Sequence, residues 1–355
     1  MSNHYPGIIE KYRAYLEIPD GMPVVTLLEG NTPLIPVPSI TKSFGGDFEL
    51  WVKFEGLNPT GSFKDRGMTV AISEALSRGA KVAICASTGN TAASAAAYSA
   101  RAGMRSIVII PAGKVAAGKL AGAIAYGADV IQIDGSFDKA LDLVVKLTEK
   151  LPIALVNSLN PFRIEGQKTA AFEICDTLGC APEWLVLPVG NAGNITAYWK
   201  GFNQYHAKEQ TGLPQILGVQ ASGSAPLVLG HPVDNPETIA TAIRIGRPAR
   251  GEEALLAANE SGGNIISVTD EEILSAQKML ASAGVWVEPA SAASLAGLRK
   301  QVEEKKIILT GKKVVLVCTG HGLKDPDIII ERIGKTKVLA PDLKSLEGYI
   351  LNGKN

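Results

Sequence analysis

Short apolar runs alternate with longer alanine-rich stretches along almost the whole chain. The runs at 49–55, 81–87, 106–112, 129–135, 152–158, 184–190, 215–221 and 313–320 are rich in Val, Ile and Leu and too short for typical helices. Several are apolar at nearly every position, as in Trp184-Leu185-Val186-Leu187 and Val314-Val315-Leu316-Val317, the pattern of strands covered on both faces. Between them the spacing predicts helices near 67–78, 91–102, 115–126, 137–150, 165–178, 195–208, 270–283 and 291–305, the last ending on a solvated face at Glu303, Glu304, Lys305 and Lys306. Such alternation builds right-handed βαβ units, hence an α/β fold with one or two doubly wound open parallel sheets. Segment 81–158 reads as a compact unit. The expected division is a small domain, 61–158, inserted between the parts of a large one, 1–60 and 159–355.

Composition narrows the function. Of 355 residues, 35 Lys+Arg balance 35 Asp+Glu, so no net charge draws the chain to nucleic acid or to an anionic membrane. No run approaches the ~20 apolar residues that span a bilayer, and the N-terminus has no signal-peptide core. Cys85, Cys175, Cys180 and Cys318 form no Cys-x-x-Cys pair, and Cys175 and Cys180 lack histidines at zinc spacing. Free thiols, a reducing cytoplasmic compartment and no metal are expected. Glycine is 37 of 355, above the average usage of ~7%, and it falls where strands end. In parallel α/β sheets, ligands bind beyond those ends.

Four such loops carry candidate chemistry. Asn58-Pro59-Thr60-Gly61-Ser62-Phe63-Lys64-Asp65-Arg66-Gly67 joins a strand to a helix. Lys64 would sit in the first helical turn, where the positive dipole end lowers an ammonium pKa and favours an amine nucleophile; a surface lysine is the alternative. Ser87-Thr88-Gly89-Asn90-Thr91 offers hydroxyls and a helix N-terminus to an anion such as a carboxylate, or simply caps that helix. Gly190-Asn191-Ala192-Gly193-Asn194 is neither G-x-G-x-x-G nor a P-loop. Its small residues still allow backbone N–H groups to wrap a phosphate, or make a tight turn. The next strand ends in Gln220-Ala221-Ser222, without the acid a dinucleotide ribose needs. Thr319 follows the last strong strand and could present a hydroxyl to the cleft. His321 nearby reads as structural.

Together these loops resemble those of pyridoxal-phosphate enzymes of fold type II, the tryptophan synthase β-like group, and within them the threonine synthases. The family motif Asn-Pro-Thr-Gly-Ser-Phe-Lys-Asp-Arg-Gly matches 58–67, and Thr-Gly-His-Gly-Leu-Lys-Asp-Pro at 319–326 is typical of that branch. The resemblance runs from Gly30-Asn31-Thr32-Pro33-Leu34 to about Pro326. It implies a lyase of threonine biosynthesis, working in the cleft between two domains as a homodimer. The implied reaction takes O-phospho-L-homoserine and water to L-threonine and phosphate by γ-elimination and β-hydration. Lys64 would attach pyridoxal 5′-phosphate covalently and act as catalyst. Asn90 would bind the cofactor's 3′-oxygen, Gly190, Asn191, Ala192, Gly193 and Asn194 its phosphate, and Thr319 its pyridine nitrogen. Ser87 and Thr91 would clamp the substrate carboxylate. Asn157, Ser158 and Arg163 would hold the substrate phosphate, with Thr88 assisting.

A neutral Thr319 hydroxyl holds a proton on the pyridine nitrogen less firmly than a carboxylate does, which favours elimination over transamination. Serine/threonine ammonia-lyases are the nearest alternative, but they usually carry an all-glycine phosphate loop and a serine at the pyridine nitrogen. Asn191, Asn194 and Thr319 depart from that pattern. Arg247-Pro248-Ala249-Arg250-Gly251 departs from the threonine synthase pattern too, and its role is open.

Overall fold

A computed structural model describes residues 4–87, 89–112, 117–134, 137–151, 153–330 and 338–351. Among the described residues ten strands form two sheets: β1 (Leu34–Pro36), β2 (Glu49–Phe54), β3 (Val82–Ala86), β4 (Arg105–Pro111), β5 (Asp129–Ile133), β6 (Ile153–Leu155), β7 (Trp184–Pro188), β8 (Gln215–Ala221), β9 (Asn264–Val268) and β10 (Lys313–Cys318). Six follow the order β1-β2-β10-β7-β8-β9, and four follow β5-β4-β3-β6.

The continuous apolar runs have the expected cause, with side chains buried on both faces. In β10, Val314, Leu316 and Cys318 join one core with the helices Asp270–Ser282 and Pro289–Glu303. Val315 and Val317 point the other way, into a core with the helices Thr169–Leu178, Gly193–Glu209 and Gly251–Glu260. The four-stranded sheet buries Ala83 and Cys85 against helices Lys64–Ser77 and Asn90–Arg101, and Ile84 against Val144 of helix Phe137–Lys150. Both are open, doubly wound sheets of an α/β fold.

Strand β9 and the helix Gly251–Glu260 are absent from the sequence expectation, and three further features differ from it. The large sheet is not wholly parallel, because β1 pairs antiparallel with β2 at the edge. Pro33 precedes that pairing and Pro36, opposite Trp51, ends it; neither has an N–H to donate, which suits an edge. The helix expected at 165–178 is two helices, Pro161–Gln167 and Thr169–Leu178, and begins four residues earlier. Asn160 caps it by accepting from Phe162 N, with Pro161 at the first helical position. Finally, the run expected at 152–158 stops as a strand at Leu155. The Asn157 side chain takes over the pairing: Ala86 N donates to its Oδ1 at 3.0 Å, and its Nδ2 donates to Ala86 O at 2.9 Å.

Beneath the site lies a buried charge cluster. Arg66 donates to Glu55 at 2.6 and 2.8 Å and to Glu173 at 2.6 Å, while Lys53 donates to Glu173 at 2.7 Å. These bonds tie β2 to the helices carrying Lys64 and Glu173. Burial raises the Glu173 carboxyl pKa, but the Arg66 and Lys53 charges outweigh it and hold the group well below the usual carboxylate range. Removing one partner strands buried charge. Glu173→Ala is therefore expected to lower unfolding stability by about 3–5 kcal/mol, read as a reduced guanidinium midpoint. A loss below about 1 kcal/mol would show the cluster to be solvated, like a surface pair.

Residues Asp325–Asn355 form a separate compact unit from Met1–Lys324. That unit holds the short helix Asp327–Ile330 and the helix Leu343–Leu351, with Leu343, Leu346 and Ile350 exposed.

Candidate active site

Parallel strands put their carboxyl ends on one edge of each sheet, and the loops leaving β2, β3, β6, β7 and β10 meet around a cavity of about 970 Å³. Lys64, Ser87, Asn90, Thr91, Asn157, Ser158, Arg163, Gly190, Asn191, Ala192, Gly193, Asn194 and Thr319 all line it. Thr88 lies outside the described residues.

Lys64 opens the helix Lys64–Ser77, and its Nζ lies 3.8 Å from the Phe63 ring centroid. Its amine faces the cavity, yet enough protein surrounds it that desolvation pulls its pKa down to about 7. The Arg163 charge lowers it further and Glu288 opposes both. The sequence argument credits the helix dipole; burial and Arg163 are the causes here. The lead-in loop is fixed by the next residue, Asp65, which accepts from Thr60 N (2.7 Å), Thr60 Oγ1 (2.6 Å) and Ser94 Oγ (2.6 Å). Loop 319–321 pins its other side through Phe63 N to Thr319 O and His321 N to Gly61 O.

Arg163 reaches the cavity because two helices cross at glycines. A Cβ on Gly166 would lie 1.8 Å from Arg66 O, and one on Gly67 would lie 2.8 Å from Arg163 O. Neither position tolerates a side chain, so the helix Pro161–Gln167 lies directly against the one bearing Lys64. The Arg163 side chain is 2% exposed. Nη1 donates to Val156 O at 3.2 Å, while the buried Nε has no hydrogen-bond partner among the described residues. Burial lowers its pKa to about 10, so the group remains cationic at neutral pH. The sequence leaves room for Glu165 as an ion-pair partner, but Glu165 pairs with Lys168 and Lys200.

The loop Gly190–Asn194 runs into the helix Gly193–Glu209, whose first-turn N–H groups have no intrahelical acceptor. Ala192 takes a left-handed φ of 66°, strain of order 1–2 kcal/mol for a residue with a Cβ. Among the described residues the buried Asn194 Nδ2 has no partner. An unpaired amide donor at a helix start in a small-residue loop suits a phosphate. In the same cavity, Thr319 Oγ1 is 3.0 Å from Ser291 Oγ, a neutral hydroxyl for a pyridine nitrogen. With the Lys64 amine of depressed pKa lining that cavity too, these residues fit pyridoxal phosphate.

Glu288 and Lys324 are among the charged cavity residues that the sequence does not point to. Glu288 precedes Pro289 at the start of the helix Pro289–Glu303 but does not cap it. Its carboxylate, 4% exposed, instead accepts from Asn90 Nδ2 at 3.1 Å on each oxygen. Lys324 donates to Thr60 O at 3.1 Å, and burial lowers its pKa. The Glu-Pro step marks the helix start, but nothing in the sequence turns that glutamate inward. His321 serves structure: its ring stacks on Phe54, and its Nδ1 accepts from Leu323 N.

The chain matches the family described as pyridoxal-phosphate dependent enzyme across residues 25–320, and it belongs to that family. Its cofactor is accordingly pyridoxal phosphate. Within the family it belongs with the threonine synthases, which are lyases. The enzyme of Synechocystis sp. is 59% identical over 342 residues, 95% of this chain and 89% of that one. That of Halalkalibacterium halodurans is 56% identical, covering 96% of each chain. The Mycobacterium tuberculosis enzyme is 56% identical, covering 92% of this chain and 91% of its own. Among solved structures, maize serine racemase superposes with TM-score 0.73 at 21% identity, covering 92% of this chain and 97% of that one. A fungal L-serine ammonia-lyase from Rhizomucor miehei gives 0.72 at 22%, covering 86% and 98%. At these identities the structures establish the fold alone.

Proposed function

We propose that this enzyme converts O-phospho-L-homoserine and water into L-threonine and phosphate by γ-elimination and β-hydration. The observation that carries the reading is Arg163: a buried guanidinium in the cofactor's own cavity which, among the described residues, has an unpaired Nε and no carboxylate bound to it. A buried cation of this kind calls for an anion beyond the cofactor, and the substrate phosphate supplies one.

Bound pyridoxal phosphate supplies the electron sink for carbanion chemistry on an amino acid. Lys64 attaches it, Asn90 faces its 3′-oxygen, residues 190–194 hold its phosphate and Thr319 meets its ring nitrogen. Ser87 and Thr91, at the start of helix Asn90–Arg101, receive the substrate carboxylate. Arg163 and Ser158 take the phosphate on Cγ. Asn157 assists with one amide hydrogen, its Oδ1 and other hydrogen being held by Ala86. The substrate's own amine would displace Lys64 from the cofactor, and the freed Lys64 Nζ, whose burial favours the neutral amine, would remove the proton from Cα and move protons at Cβ and Cγ. Phosphate leaves Cγ from its pocket, and water adds at Cβ.

The small domain, 61–158, closes over the cleft and keeps bulk water out until hydration. The protein is further read as a cytoplasmic homodimer; its four free thiols accord with a reducing compartment. Among the described residues, no helix is long and apolar enough to cross a membrane.

The product made from O-phospho-L-homoserine is the test. Threonine and one equivalent of phosphate are expected. A 2-oxo acid with ammonia as the main product would favour an ammonia-lyase instead.

A further inference from the structure

The segment whose role the sequence leaves open, Arg247–Gly251, joins the two anion-binding loops. Arg250 immediately precedes the helix Gly251–Glu260. A cation there faces the positive end of the helix dipole, which disfavours it. Glu253 offsets this at 3.1 Å, and the rest of the guanidinium reaches across to the loop after β6. Its Nε donates to Ser158 O at 3.2 Å and its Nη2 to Leu159 O at 3.4 Å. One residue earlier, Ala249 N donates to Asn191 Oδ1 at 3.4 Å, in the loop facing the cofactor's phosphate.

The segment is itself anchored. A Cβ on Gly246 would lie 1.9 Å from Val233 O, so only glycine permits this approach, and Val233 N donates to Gly246 O at 3.0 Å. Ile245 N donates to the buried Ser224 hydroxyl at 2.8 Å. Arg247 pairs with Asp234 at 2.9 Å, at the surface. Arg250 thus projects from a fixed base in the large sheet onto a loop that leaves the small one.

We propose that Arg250 is a positioning residue for the substrate phosphate: it fixes the backbone at Ser158 and Leu159, and with it Ser158, which lines the same cavity as Arg163. Arg250 does not line the cavity and touches no substrate. Its effect is to hold one wall of the phosphate pocket at a set distance from the cofactor's phosphate loop. This rests on the reading that Ser158 and Arg163 receive the substrate phosphate.

The experiment compares Arg250→Ala, Arg250→Lys and Arg163→Ala as holoenzymes. It measures KM for O-phospho-L-homoserine, kcat, inhibition by inorganic phosphate, and cofactor absorbance. Losing two modest hydrogen bonds is worth about 5- to 20-fold. Arg250→Ala should raise KM and the phosphate inhibition constant together by that factor, with kcat changed less than about two-fold and the cofactor spectrum kept. Arg250→Lys, able to reach one carbonyl, should fall between. If Arg163→Ala weakens phosphate inhibition but neither Arg250 variant does, the positioning role is wrong. If Arg163→Ala leaves phosphate inhibition unchanged, the phosphate pocket itself is wrong. Should the alanine variant fail to fold, the lysine variant carries the comparison.

Discussion

Replacing Lys64 with alanine is expected to abolish the visible absorbance of the bound cofactor and to cut turnover by about 10³-fold or more, the range of a lost acid–base catalyst and covalent anchor combined. The structure gives this lysine its competence by what surrounds it. Desolvation lowers the ammonium pKa to about 7, Arg163 adds repulsion, and Glu288 opposes both. A proton therefore leaves Nζ several pH units earlier than from an exposed lysine. Only the neutral amine attacks an aldehyde. The rate at which the cofactor-free protein captures pyridoxal phosphate should thus rise with pH up to about 7 and level off above it. An ordinary lysine would keep gaining rate towards pH 10. Stopped-flow absorbance at a series of pH values distinguishes the two. A wild-type profile still rising steeply above pH 9, or a Lys64→Ala protein that keeps both colour and turnover, would overturn the assignment.

Much of this architecture was legible in the sequence because its causes are local. Apolar runs at β7 and β10 are continuous because both faces of those strands are buried, and glycine-rich loops fall where the strands end. The loop 58–67 could be placed at a strand-to-helix junction, and the family resemblance named what it binds. What was hidden depends on the third dimension. Strand β1 is three residues, preceded by Pro33 and ending on Pro36, and it exists only because β2 offers an edge. The Asn157 side chain could be seen near the cleft but not in its place within the ladder with Ala86. Glu288 and Asn90 are 198 positions apart in the chain, and no periodicity relates them. Gly67 and Gly166 become meaningful only once their helices cross. The Arg163 pairing went the same way: its neighbour Glu165 is close in sequence, yet in space it serves Lys168 and Lys200.

Arg163 makes the second large prediction, and its stability and activity effects have opposite signs. A buried cation that forms no ion pair among the described residues, with Asp65 acting on it only through space, costs folding free energy, so removing it relieves desolvation rather than breaking a pair. Arg163→Met keeps most of the apolar stem and drops the charge. The cofactor-free variant should unfold at a guanidinium midpoint equal to or above that of the wild type. Turnover should behave in the contrary way. Charge-assisted hydrogen bonds to phosphate are worth about 1.5–3 kcal/mol each, and more than one is lost. kcat/KM for O-phospho-L-homoserine should then fall about 10²- to 10³-fold, while cofactor absorbance stays within a few per cent of normal. The Lys64 amine reports the same change independently. Because Arg163 repels a proton from Nζ, its removal should move the capture midpoint upward from about 7. A variant that loses stability and cofactor together would show Arg163 to be a structural cation, and the phosphate pocket would have to lie elsewhere in the cavity.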